Sequence, residues 1–107
     1  MANYLLVYRG GPGMPATPQE GQKIMAAWER WGKKLGDALV DFGNPLGQRS
    51  LIKPDGSVSP SKGGATALSG YSILKANSQA AAVKLAKGCP ILKDGGAVEV
   101  CEVVPAM

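Results

Sequence analysis

The chain has 107 residues, 45% of them hydrophobic and 19% charged, with a net charge of +4. That is the length of one domain, enough to bury about two-thirds of the unfolded surface around a single modest core. There is no histidine, which excludes the commonest general base and metal ligand of neutral solution, and the lysines are spread along the chain rather than gathered into the basic stripe of a nucleic-acid binder.

No apolar run approaches the roughly 20 residues that a membrane helix needs, so no membrane partner is expected. Met1-Ala2-Asn3-Tyr4 enters a strand directly, without the basic and apolar regions of a secretory signal. A cytoplasmic protein is expected, with Cys89 and Cys101 as reduced thiols. A Cys89–Cys101 disulfide is the alternative. The two cysteines lack metal-type spacing, so neither a metal nor an organic cofactor is expected.

Residues 3–9 form the first predicted strand. Tyr4, Leu6 and Tyr8 point one way and Leu5, Val7 and Arg9 the other. Both faces are mostly apolar, which suits a central strand. Gly10-Gly11-Pro12-Gly13 breaks it and lacks the spacing of a phosphate loop. Thr17-Pro18-Gln19-Glu20 is a helix start, with Thr17 as N-cap, Pro18 in the first turn and Glu20 closing a capping box. The spacing predicts a helix to about residue 41. Ile24, Trp28, Trp31, Leu35 and Leu39 make its core stripe, and Glu29/Lys33 and Lys33/Asp37 are opposite-charge pairs on its wet side. Lys33-Lys34 with Arg30 is the one local basic patch and fits a solvated helix face. Gly32 and Gly36 share a face and would admit a close neighbour.

Phe42-Gly43-Asn44-Pro45 ends the helix. Residues 46–53 read as a second, weaker strand, followed by a turn at Pro54-Asp55-Gly56-Ser57. Residues 58–67, mostly Ser, Gly, Lys and Pro, read as a mobile loop, with at most a short extension of a hairpin. Gly70-Tyr71-Ser72-Ile73-Leu74-Lys75 is a third strand. Asn77-Ser78 caps an alanine-rich helix over 79–87, whose buried side holds Val83 and Ala86 beside Ala82 and Leu85. Gly88-Cys89-Pro90 stops it, and residues 96–104 alternate as the last strand.

The order β-α-β-β-α-β is an α+β class. With right-handed crossovers it folds as a ferredoxin-like sandwich, an antiparallel sheet with both helices on one face. The other face then stays open although its strands are apolar, so a homodimer through the open sheet face is expected.

Tyr4-Leu5-Leu6-Val7-Tyr8, Ser69-Gly70-Tyr71-Ser72-Ile73-Leu74, Ala86-Lys87-Gly88-Cys89-Pro90 and Gly96-Ala97-Val98-Glu99-Val100, in this order, resemble the YCII-related family. The resemblance spans nearly the whole chain as a single domain, 1–107. It implies a ferredoxin-like subunit of a dimeric α/β barrel, a small bacterial protein with a cleft suited to a small molecule. The His–Asp pair suggested for some members has no counterpart, since the chain lacks histidine. Asp55-Gly56-Ser57-Val58 stands where the family carries Asp-Gly-Pro-Phe.

The residues that could carry function follow from their chemistry. Trp28 and Trp31, with Tyr8 and Tyr71, could line an aromatic pocket, or pack helix against sheet. Arg9 could hold a carboxylate bidentately, or be an ordinary surface or interface residue. Asp37 could serve as acid or base, or pair with Lys33. Asn44 could orient a ligand, or belong to the turn after the helix. Ser69 and Tyr71 begin the third strand, where a cleft mouth would lie, and the Tyr71 hydroxyl needs a lowered pKa to act as a base. Cys89 follows a helix C-terminus, which disfavours a thiolate. RNA binding would need stacking aromatics on the exposed sheet, and the single phenylalanine, Phe42, lies elsewhere.

The expected function is therefore a homodimeric module binding a small molecule through Tyr8, Trp28, Trp31, Asn44, Ser69 and Tyr71. The alternatives are a weak enzyme on a small organic acid or lactone, using Asp37, Tyr71 and Arg9, and a structural subunit for a larger partner.

Overall fold

The computed structural model describes residues 1–11, 16–61 and 67–106. Its elements are β1 (Ala2–Arg9), α1 (Pro18–Leu35), β2 (Leu39–Asp41), β3 (Ser50–Ile52), β4 (Val58–Pro60), β5 (Leu68–Ala76), α2 (Gln79–Ala86) and β6 (Ala97–Glu102). Short 3-10 turns fill Gly36–Ala38 and Pro90–Asp94. The main sheet has four strands in the order β2-β5-β1-β6, and β3 and β4 pair separately as a hairpin. All its pairings are antiparallel. The architecture is α+β, an antiparallel sheet with two helices, compatible with a ferredoxin-like fold.

Alternation along β1 sends Tyr4, Leu6 and Tyr8 under the helices. Across the sheet, Leu6 faces Ser72 and Tyr4 faces Leu74. Trp31 and Leu35 of α1 and Ala82 and Ala86 of α2 close the core over them. Leu6 and Leu74 are fully buried, each contributing about 2 kcal/mol of hydrophobic stabilisation. On the opposite face stand Leu5, Val7, Tyr71, Ile73 and Cys101, with an Arg9–Glu99 ion pair at 3.1 Å. No described helix covers that face.

The start of α1 forms as its sequence dictates. The Glu20 N–H donates to Thr17 Oγ1 at 3.2 Å, while Glu20 Oε2 accepts from the Ala16 N–H at 3.0 Å. Its end differs from the expectation. The helix stops at Leu35, because Gly36 takes φ +58° and ψ −128°, outside any helix. Leu39 continues the spacing of the stripe but lies in β2, beside Leu74. Asp37 thus leaves the helix surface, and no ion pair joins it to Lys33 among the described residues. Gly32 does admit a neighbour: a Cβ there would lie 3.4 Å from the Phe42 ring, whereas nothing approaches Gly36 within 4 Å.

The strand expected over 46–53 is also revised. Residues 44–46 run along the edge of β5, with the Tyr71 N–H donating to the Asn44 carbonyl and the Leu46 N–H to the Ser69 carbonyl. Only Ser50–Ile52 is strand, and its partner is Val58–Pro60, inside the stretch expected to be loop. Gly56 at φ +85° makes the intervening turn, with the Ser57 N–H on Asp55 Oδ1 at 2.9 Å. Residues 62–66 of the expected mobile loop, and Pro12 and Gly13 of the glycine-rich break, lie outside the described residues.

Candidate functional site

A cavity of about 430 Å³ lies between α1, the 42–45 segment and the first residues of β5. Three features of the sequence open it. Gly70 leaves room above Tyr8: a Cβ there would meet Tyr8 Cδ2 at 3.3 Å and the Asn44 carbonyl oxygen at 3.2 Å. Gly43, at φ +78°, lets the chain turn sharply back along β5. The β1–β5 register shifts between Tyr8, opposite Gly70, and Arg9, opposite Leu68. Ser69 is thereby the extra residue of a β-bulge, a device that re-aims a side chain.

The cavity walls are mainly apolar. Ile24, Met25 and Trp28 come from α1, Phe42 and Pro45 from the returning segment, and Ile91 from the second 3-10 turn. Trp28 is the hub of the aromatic cluster. Its ring meets Tyr8 edge-on at 5.0 Å and 72°, Trp31 at 5.7 Å and 83°, and Phe42 at 6.3 Å. No hydrogen bond holds its indole N–H among the described residues.

Beneath the cavity runs a buried polar chain. The Tyr8 hydroxyl donates to Ser72 Oγ at 2.6 Å, and Ser72 donates to the Phe42 carbonyl at 2.5 Å. This ties the returning segment to the centre of the sheet. Burial raises the Tyr8 pKa above the ordinary value of 10.0, opposed in part by the Ser72 hydrogen bond and reinforced by Cys89 alongside. Burial likewise pushes the Cys89 thiol up to about 11, against the lowering effect of hydrogen bonds from the Ile91 backbone and Tyr8. At neutral pH both groups stay protonated, so neither is a base or a nucleophile there.

The structure brings Tyr8, Trp28, Asn44, Ser69 and Tyr71 together around the cavity. Tyr71 belongs to its wall from a position opposite Val7, where the side chain alternates toward the open sheet face. Trp31 lies outside: it is 5% exposed and its Nε1–H donates to the Leu85 carbonyl at 3.2 Å, pinning α1 to α2. Arg9 also lies outside, on the opposite sheet face with Glu99. Asp37 is exposed in the 3-10 turn after α1 and does not line the cavity. The residues proposed for catalysis therefore do not converge. Cys89 and Cys101 are both free thiols.

Sequence reasoning missed Met25, Pro45 and Ile91 as wall residues, and placed Ile24 in the core and Phe42 at a helix end. Met25 stands next to Ile24 and three residues before Trp28, so it flanks the helical stripe, a readable signal. Ile91 gave none, because it reaches the cavity only through the turn after Pro90. Among the described residues, no three His, Cys, Asp or Glu side chains group to hold a metal ion, and no helix is long and apolar enough to cross a membrane. No family model, curated protein or solved structure matches the chain.

Proposed function

We propose that this chain is a small-molecule-binding module, a homodimer through its open sheet face, with the ferredoxin-like subunit of a YCII-related dimeric α/β barrel. The observation that carries the binding reading is the cavity of about 430 Å³ beside Trp28, within the size range of small-molecule sites. The dimer reading rests on Leu5, Val7, Tyr71 and Ile73, which form an apolar face without a covering element among the described residues. The family reading is supported by the sheet order β2-β5-β1-β6, with the hairpin set aside. In chain order the first and third of its four strands lie at the centre, as that subunit requires.

The test is binding of a neutral aromatic probe, 2-naphthamide, followed by tryptophan fluorescence. Trp28 borders the cavity, so saturable quenching is expected in the native chain. Ile24→Trp fills the cavity and is expected to abolish saturable binding. Equal binding by native chain and variant, or none by the native chain, would overturn the reading.

A further inference from the structure

Among the described residues, the walls of the cavity hold no acidic or basic side chain. The polar side chains that line it are Tyr8, Trp28, Asn44, Ser69 and Tyr71, and two of these are closed to a bound molecule. The Tyr8 hydroxyl is taken up by Ser72 at 2.6 Å, beneath the cavity. Ser69 Oγ has less than 1 Å² of accessible surface. Trp28, Asn44 and Tyr71 bring an indole, a carboxamide and a phenol, which hydrogen-bond but set no full charge against an ion. Main-chain donors of the returning wall are committed as well: the Tyr71 N–H to the Asn44 carbonyl at 3.3 Å and the Gly43 N–H to Asp41 Oδ1 at 2.8 Å. The second of these bonds also stations a negative charge beside the wall. Arg49, whose Nη1 donates to the Leu68 carbonyl, is not a lining residue, and its Nε is as inaccessible as Ser69 Oγ.

We propose that the cavity selects an uncharged, largely apolar ligand and rejects an anion or a cation of the same shape. The proposal deepens the cavity reading above and rests on it. An ion entering the cavity gives up part of its hydration, and nothing in the described walls replaces it: no basic side chain meets a carboxylate, and no acidic side chain meets an ammonium. A neutral molecule loses little on entry, while its apolar surface gains from Ile24, Met25, Trp28 and Ile91. One neutral polar group on the ligand is accommodated at the rim, where the exposed Asn44 side chain carries both a donor and an acceptor.

The experiment measures probes that share one ring system, neutral 2-naphthamide, 2-naphthoate and 2-naphthyltrimethylammonium, on the full chain by calorimetry at neutral pH. The amide is expected to bind at least about tenfold more tightly than either ion. Met25→Arg then adds a cation to the cavity wall at a position that is 61% exposed in the native chain, with circular dichroism to check that the fold is kept. In this variant the affinity for 2-naphthoate relative to the amide is expected to rise at least about fivefold, and that for the ammonium to fall. Native-chain binding of either ion as tight as that of the amide overturns this inference alone and leaves the cavity reading standing. Unchanged ratios in a folded Met25→Arg variant mean that the ions are turned away by shape rather than charge, and overturn it too. Absence of binding by all of the probes to the native chain overturns the inference and the cavity reading together.

Discussion

Gly43 lies so close to Tyr71 that a Cβ at residue 43 would stand 1.7 Å from the Tyr71 carbonyl oxygen. The contact is main chain to main chain, so no side-chain rotation relieves it. Gly43 also has φ +78°, a conformation that a residue with a Cβ adopts only under strain. Gly43→Ala is expected to cost at least about 3 kcal/mol, seen as a lower urea midpoint, and to abolish probe binding because the 42–45 wall must move. A midpoint equal to that of the native chain would contradict the account of this turn.

Tyr8, Ser72 and the Phe42 carbonyl form a chain in which the middle member matters most. Tyr8→Phe removes the hydrogen bond to Ser72 and leaves Ser72 donating to Phe42, for a cost of about 1 kcal/mol. Ser72→Ala leaves both the Tyr8 hydroxyl and the Phe42 carbonyl without this partner, for about 2 kcal/mol. The double variant is expected to cost less than the sum, since the two share one bond. Equilibrium unfolding of the three variants checks the order.

The raised pKa values of Cys89 and Tyr8 make the fold alkaline-sensitive. The Cys89 thiol moves from an ordinary 9.0 to about 11 on folding, so above pH 9.0 the unfolded chain releases a proton that the folded chain retains. The stability it contributes is complete below pH 9.0 and is lost as pH rises toward about 11. Tyr8 acts in the same direction at higher pH. Urea midpoints are expected to fall between pH 9 and about 11, and to fall less steeply in Cys89→Ala. In the same vein, iodoacetamide at pH 8 is expected to spare the buried Cys89.

The open sheet face gives a test of assembly. Ile73 stands opposite Leu5 near its centre, so Ile73→Glu places a charge where the second subunit would pack. The native chain is expected to sediment at twice its chain mass at micromolar concentration, and the variant at the chain mass with its fold intact by circular dichroism. A native monomer would remove the dimer.

Much of the element order was legible because it rests on local chemistry. The Thr17-Pro18 helix start, the Asp55-Gly56 turn and the Ser78 cap, which accepts from the Ala81 N–H at 3.1 Å, are each written in a few adjacent residues. The end of α1 was not, because Leu39 keeps the helical spacing after the chain has become β2. A strand of three residues carries no period of its own; pairing with β5 makes it. The cavity was legible where aromatic residues recur on a strand face and a helix stripe, Tyr8 and Trp28, and where polar residues stand at expected element ends, Asn44 after the helix and Ser69 at the start of the third strand. Arg9 was legible from alternation alone, which sets it with Leu5 and Val7 on the face away from Tyr8, where it pairs with Glu99. Arg49 lay inside a stretch read as strand, and only the folded path brings it to the Leu68 carbonyl.

One further consequence follows from the edges of the sheet. The Val103 N–H donates to the Asn3 carbonyl at 2.9 Å, so alternate pairs from there are the hydrogen-bonded ones, and Val100, opposite Leu6, turns its main-chain groups outward. The Gln79 side chain donates to that outward Val100 carbonyl at 3.1 Å. Glu99 and Glu102 add negative charge along the same margin. At the far margin, the 44–46 segment already occupies β5. Each rim thus carries a feature that discourages strand addition, the route by which exposed β-structure grows into fibrils: a side-chain cap and carboxylates on β6, and an edge strand of only three residues in β2. A chain so protected can keep an apolar sheet face for a specific partner while avoiding open-ended polymerisation.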